Sequence, residues 1–95
     1  MRKGTTSTGF AFTFDEAAAD DMRIVDLIAE ISDEATPDFE KISGASKLTV
    51  LLLGKEQKAA LYAHIGSRHG GRVPFAEVEQ ALLEIMRAGG DAVKN

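Results

Sequence analysis

The sequence predicts a mainly α-helical domain of the α+β class, with about four helices and a small N-terminal β-hairpin in one compact unit. Three observations lead to this fold class. Apolar residues recur at helical spacing through most of the chain, and they alternate at period two only near its start. The chain has 95 residues, of which 44% are hydrophobic and 27% charged. That length and composition are typical of one soluble globular domain, which we take to span 1–95.

The hairpin is predicted at about 3–14, in "KGTTSTGFAFTF". Phe10, Phe12 and Phe14 share one face at period two, and "STG" before them is a suitable turn. Two strands alone are marginally stable in water, so the phenylalanine face needs helices to cover it. We therefore expect these rings in the core, with a binding surface as the alternative.

The first helix is predicted at 16–32. Asp15 is a favourable N-cap, and Glu16 lies in the first turn, where the helix dipole favours an acidic side chain. Pro37 interrupts the segment that follows. The apolar residues of this helix repeat at i, i+3, i+4 and i+7, which is the spacing of one buried face: Ile24, Leu27, Ile28 and Ile31.

The second helix is predicted at 38–53, ending at Gly54. One face is expected to complete the core, while three leucines fall on the other side. Those leucines need a second cover, either the phenylalanine face of the hairpin or a contact with another copy or a partner. The expected core face contains Phe39, Ile42, Val50 and Leu53, and the candidate protein-interaction residues are Leu48, Leu51 and Leu52.

Two further helices are predicted at 55–65 and 74–88. Pro74 suits the first position of a helix, because its fixed φ is helical and its missing N–H is not needed there. Glycines at the start of 89–95 predict a frayed tail.

Between these two helices lies "HIGSRHGGR", residues 64–72, the segment richest in reactive side chains. Its two histidines have no cysteine or nearby carboxylate to complete a metal site. It also lacks the strand and the Gly-Lys-Ser/Thr ending of a phosphate loop, and the nucleophile elbow of a serine hydrolase. We therefore interpret it as a basic elbow between helices, with Gly70 and Gly71 allowing a tight reversal. The sequence predicts no catalytic, cofactor-binding or metal site, and the protein is not expected to be an enzyme.

The charge distribution is uneven. The net charge is −4, yet residues 54–73 carry four basic and one acidic residue, a net charge of +3. A small helical nucleic-acid-binding regulator that uses the basic segment 55–72 is therefore one alternative. Glutamates on the outer face of the last predicted helix would oppose phosphates, so nucleic acid is the less favoured partner. The absence of cysteine, of a secretory signal and of a long apolar run predicts a cytoplasmic protein.

The order of elements and several short blocks resemble one family. "TTSTGFAFTFDEAAADDMRIVDLIAEI", "KLTVLLLGKEQKAALYAHI", "GRVPFAEVEQALLEIMRAGG" and the terminal "VKN" are similar to tail assembly chaperones of long-tailed phages and prophages of Gram-positive bacteria. The resemblance covers nearly the full length, chiefly through "LLLGKEQKAALY" and "GRVP", and it is weakest over "DEATPDFEKISGAS".

That resemblance implies a function without catalysis. Such chaperones bind the aggregation-prone tape measure protein and keep it soluble while the major tail protein polymerises around it. The expected partners are therefore the tape measure protein and the major tail protein, together with further copies of this chain. The resemblance identifies no particular binding residues. From the residues themselves, no cofactor and no membrane partner are expected.

Overall fold

A computed structural model describes the backbone of residues 1–94 and the side-chain surroundings of residues 1–18 and 20–88. Over residues 1–94 the chain forms an N-terminal hairpin and three α-helices. In none of these helices do length and apolar character reach what a membrane span requires. The elements are strands β1 (Arg2–Thr5) and β2 (Ala11–Phe14), a 3-10 helix (Glu16–Asp20), and helices α1 (Met22–Ser32), α2 (Asp38–Arg68) and α3 (Phe75–Lys94).

The N-terminal hairpin agrees with the prediction. Strands β1 and β2 pair antiparallel, with Gly4 opposite Phe12, and the connection turns at Gly9, whose φ is 97°. Phe10, Phe12 and Phe14 are all buried, which confirms that this face belongs to the core.

Gly4 makes room for one of these rings. A Cβ atom on Gly4 would lie 2.6 Å from Cζ of Phe12, so any larger residue there would displace the aromatic ring.

The predicted helix 16–32 is divided in two. Asp15 accepts a hydrogen bond from the Ala17 N–H and caps the 3-10 helix, whereas Asp21 accepts one from the Arg23 N–H and caps α1. Asp21 has an extended backbone, with φ −79° and ψ 111°, as an N-cap residue requires. A second capping aspartate therefore restarts the helix six residues after the first.

Helix α2 joins the predicted helices 38–53 and 55–65, so the described chain has three α-helices rather than about four. The expected break is present as a kink, because Gly54 alone leaves helical geometry, with φ 83° and ψ 166°. The kink is sharp. Lys58 Nζ donates to Ser46 Oγ at 2.7 Å, although twelve residues of straight helix would span about 18 Å. The two halves of α2 therefore fold towards each other.

The core-facing side of α2 also differs from the prediction. Phe39 and Ile42 are exposed, while Leu48 and Leu52 are buried together with Leu53. The packing of α1 against Gly44 explains this orientation. A Cβ atom on Gly44 would lie 3.3 Å from Cγ1 of Ile31, so the glycine permits a close approach of α1 on the side of the helix that also carries Leu48.

Helix α3 begins just after Pro74, whose carbonyl oxygen accepts a hydrogen bond from the Glu77 N–H. It extends to Lys94, beyond the predicted end at residue 88, so the predicted frayed tail 89–95 is helical as far as the described backbone runs. Glycine costs a helix only about 1 kcal/mol relative to alanine, which weakens a helix without ending it. Asn95 lies outside the described residues.

Candidate partner-binding surface

The segment "HIGSRHGGR" forms the reversal between α2 and α3. Its glycines act as expected, since Gly70 and Gly71 have φ values of 65° and 95°. The helix that was predicted to end at residue 65 continues past Gly66. Helix α2 continues to Arg68, and the Gly66 carbonyl oxygen accepts hydrogen bonds from the N–H groups of His69 and Gly71. The elbow therefore starts three residues later than the sequence indicates, because the helix predicted to end at residue 65 ends at Arg68.

The two histidines of the elbow contact different elements. His64 Nε2 lies 3.1 Å from Thr8 Oγ1 in the hairpin turn, and its ring packs 5.8 Å from that of Phe10. His69 Nε2 lies instead 2.8 Å from Glu77 Oε1 on α3. The fold thus separates the two imidazoles, and the described residues contain no group of three or more potential metal ligands.

A hydrogen-bonded clamp holds the hairpin turn to α3. The Ser7 N–H donates to Glu84 Oε1 at 2.7 Å, and the Ser7 hydroxyl donates to Glu84 Oε2 at 3.0 Å. These bonds, the backbone bond foremost, hold the pKa of the Glu84 carboxyl below its usual range. Together with the contact between His64 and Thr8, the clamp gives this part of the chain a structural role.

Two of the four cations in the basic segment 55–72, Lys58 and Arg68, already have partners within the protein. Lys58 donates to Ser46 and lies 5.4 Å from the centre of the Tyr62 ring. Arg68 lies 3.5 Å from Glu77. Cations that already have polar or acidic neighbours in the protein are less available to a phosphate backbone.

The candidate interaction leucines do not act as one set. Leu48 and Leu52 are core residues, which corrects the expectation that all three could form a contact surface. Leu51 is 37% exposed and is the member of the set at the surface. The close packing of α1 at Gly44 turns the first two inward, as described above.

Leu48 also forms part of the floor of an apolar cavity, which we call the three-helix cleft. The cleft has a volume of about 110 Å³ and lies where α1, α2 and α3 meet. Leu83 lines the cleft, and 45% of its surface is exposed to solvent. Most other lining residues are apolar: Ile28, Ile31, Ala45, Leu48, Leu82 and Met86, with Ser32 and Glu79 as the polar members.

A second concave surface, the α2 groove, lies between the first half of α2 and the start of α3. Its volume is about 330 Å³. Phe39, one helical turn before the lining residue Ile42, is 80% exposed and extends the apolar surface beyond the groove. The lining consists of Ile42, Ala45, Ser46, Tyr62, Arg72, Val73, Pro74, Phe75 and Val78.

Sequence reasoning missed both concave surfaces. The exposure of Phe39 and Ile42 depends on how α2 is rotated, and helical spacing alone fits several rotations. Gly44 was the available signal, because a glycine within a helix often marks a close approach of another element.

Comparisons of the chain with protein-family models, with curated proteins and with solved structures gave no match.

Proposed function

We propose that this protein is a non-catalytic phage tail assembly chaperone, which binds the tape measure protein and supports assembly of the tail tube from the major tail protein. It would act in the cytoplasm of the bacterial host. The sequence blocks quoted above support this proposal, and so does a described surface whose most distinctive features are apolar concavities.

The three-helix cleft is the observation on which the proposal rests. Its volume of about 110 Å³ is somewhat below that of engineered apolar cavities that bind benzene, about 150 Å³. It therefore fits one apolar side chain. Leu83, which is half exposed at the cleft, can cover a second side chain of the same partner.

An amphipathic helix presents apolar side chains at i, i+3, i+4 and i+7, and such a helix can seat one of them in a hydrophobic recess. A long helical partner such as the tape measure protein repeats that pattern many times. Each seated side chain gains about 1.5–3 kcal/mol from burial, from which the costs of association are subtracted. Binding at any one site is therefore weak and reversible, as a chaperone that must yield to polymerising tube subunits requires.

Co-expression with the tape measure gene from the same genome tests the proposal. Wild-type chaperone should keep the tape measure protein soluble and copurify with it. Leu83→Glu should abolish both effects, because it places a charge at the apolar cleft. Leu51→Glu is the matched control, since it changes a similarly exposed leucine that does not line the cleft. A tape measure protein that is equally insoluble with and without the wild-type chaperone would contradict the function itself.

The alternative regulator function predicts a different result. A regulator would bind duplex DNA of defined sequence at physiological salt, with the basic segment 55–72 in contact with the phosphates. Such binding, together with no effect on the tape measure protein, would replace our proposal.

A further inference from the structure

We propose that the α2 groove is a second docking site, which binds an acidic amphipathic helix of a partner protein. The inference goes beyond the proposed function, because it concerns a concave surface whose described lining shares only Ala45 with the three-helix cleft. It can fail while the chaperone function holds, since it is tested with peptides on the purified chain.

The apolar surface of the α2 groove is open and elongated. The groove has a volume of about 330 Å³, against about 110 Å³ for the three-helix cleft, so it holds more than one side chain. Ile42 in its lining is 50% exposed, and Phe39, one turn earlier on α2, is 80% exposed. The apolar surface therefore runs along α2 beyond the groove itself. A helix laid along it can seat side chains one turn apart, as amphipathic helices do in hydrophobic grooves.

The charge at the groove is positive. Arg72 belongs to its lining and is exposed, and none of the described lining residues is a carboxylate. No hydrogen bond or ion pair joins the Arg72 guanidinium to another described side chain, whereas Arg68 lies 3.5 Å from Glu77. The guanidinium can therefore donate to a carboxylate of a partner, in the bidentate geometry that arginine favours.

Lys58 places a second positive charge beside the groove. Its Nζ donates to Ser46 Oγ at 2.7 Å and lies 5.4 Å from the centre of the Tyr62 ring, and both of these residues line the groove. Because both are uncharged, they position the ammonium group without neutralising it. The kink at Gly54 thus brings a cation from the second half of α2 to a groove that the first half lines.

These features define the partner by its chemistry. The apolar surface along α2 requires aliphatic or aromatic side chains on one face of the partner, and the two cations require acidic residues beside that face. Opposite charges at such a border contribute orientation and specificity more than affinity. A nucleic acid would pair with the cations but would leave the apolar floor and Phe39 uncovered, so a protein helix fits the groove better.

Two synthetic helical peptides, each of about five turns, test the proposal. Both carry leucine at i, i+3, i+4 and i+7, and they differ only at the border positions, which are glutamate in one and lysine in the other. Fluorescence anisotropy should show that the acidic peptide binds the purified chain at least about tenfold more tightly at low salt, and that salt narrows the difference. The net charge of −4 would by itself favour the basic peptide, so equal affinities or a preference for the basic peptide would contradict the proposal.

Arg72→Glu reverses the charge within the groove. It should weaken binding of the acidic peptide at least about tenfold and strengthen binding of the basic one. Lys55→Glu is the matched control, because it makes the same change of net charge at an exposed residue outside the lining. Circular dichroism should show both variants folded, since both side chains are exposed. An equal loss of acidic-peptide binding in the two variants would reflect net charge alone and would overturn the site.

Ile42→Gln separates the possible occupants of the groove. It removes part of the apolar floor and keeps both cations, and glutamine is a good helix former at this exposed position. Binding of the acidic peptide should fall about tenfold, the loss typical of an interface anchor, while copurification with the tape measure protein stays unchanged. Unchanged peptide binding would overturn the docking site. Loss of the tape measure protein, or a lower mass of the chain alone in sedimentation, would instead assign the groove to that partner or to another copy.

Discussion

Two leucines three residues apart on α2 should respond very differently to truncation. Leu48 is 3% exposed, lies beside Gly44 and Ala45 in the packed half of the helix, and forms part of the cleft floor. Leu51 is 37% exposed. Truncation of each to alanine removes the same atoms from the same helix, so the difference between them reports burial alone.

The expected magnitudes follow from that burial. Leu48→Ala should lower the free energy of unfolding by about 2–3 kcal/mol, near the lower end of the range for buried leucines, because one side of the residue already borders the cleft and loses fewer contacts. For a domain of this size, that loss corresponds to a fall in Tm of roughly 8–24 °C. Leu51→Ala should cost less than about 1 kcal/mol.

Urea denaturation followed by circular dichroism measures both values, at one protein concentration, since self-association would otherwise shift apparent stability. The sequence alone placed the two leucines together, as possible members of one contact surface. Equal losses for the two variants, or a loss below about 0.5 kcal/mol for Leu48→Ala, would refute the rotation of α2 described here.

Three further changes test other parts of the account. The lowered pKa of Glu84 means that its ionised form stabilises the folded protein above the usual carboxyl pKa, and this contribution is lost as pH falls through the lowered value. The difference in free energy of unfolding between wild type and Glu84→Gln should therefore shrink between neutral and acidic pH. A constant difference would contradict the clamp with Ser7. The double variant His64→Ala/His69→Ala should lose about 1 kcal/mol or less in urea denaturation and keep its partner, because both imidazoles make exposed contacts; zinc or nickel bound stoichiometrically by the wild type and lost in this variant would instead show a metal site. Gly44→Ala should not raise the free energy of unfolding by the amount of about 1 kcal/mol expected from helix propensity, because the new methyl group would press on Ile31. A full gain in urea denaturation would show that α1 is not closely packed at Gly44.

The sequence determines the hairpin well because its signals are local. Alternation places Phe10, Phe12 and Phe14 on one face, the glycine of "STG" supplies the positive φ of the turn, and two strands must be covered to be stable. The starts of α2 and α3 and the kink of α2 were also predictable, since Pro37 and Pro74 precede the two helices and Gly54 interrupts the helical pattern.

The rotation of α2 was not predictable in the same way. Leu48 and all four residues from Val50 to Leu53 are large and apolar, so the helix has no single apolar face in this region. Which of these residues face the core depends on which neighbouring element packs closest. That choice is made at Gly44 by α1, a contact between distant parts of the chain. The concave surfaces arise from the same tertiary packing, which is why periodicity could not reveal them.

A photoreactive amino acid in place of Leu83 tests the central claim most directly. In cells that co-express the tape measure protein, illumination should cross-link this position to the tape measure chain, because Leu83 is half exposed at the three-helix cleft. The same amino acid in place of Leu51, which is outside the cleft, should give little or no cross-link to that chain. Cross-linking from Leu51 but not from Leu83, or from neither position, would contradict the claim that the cleft binds the tape measure protein.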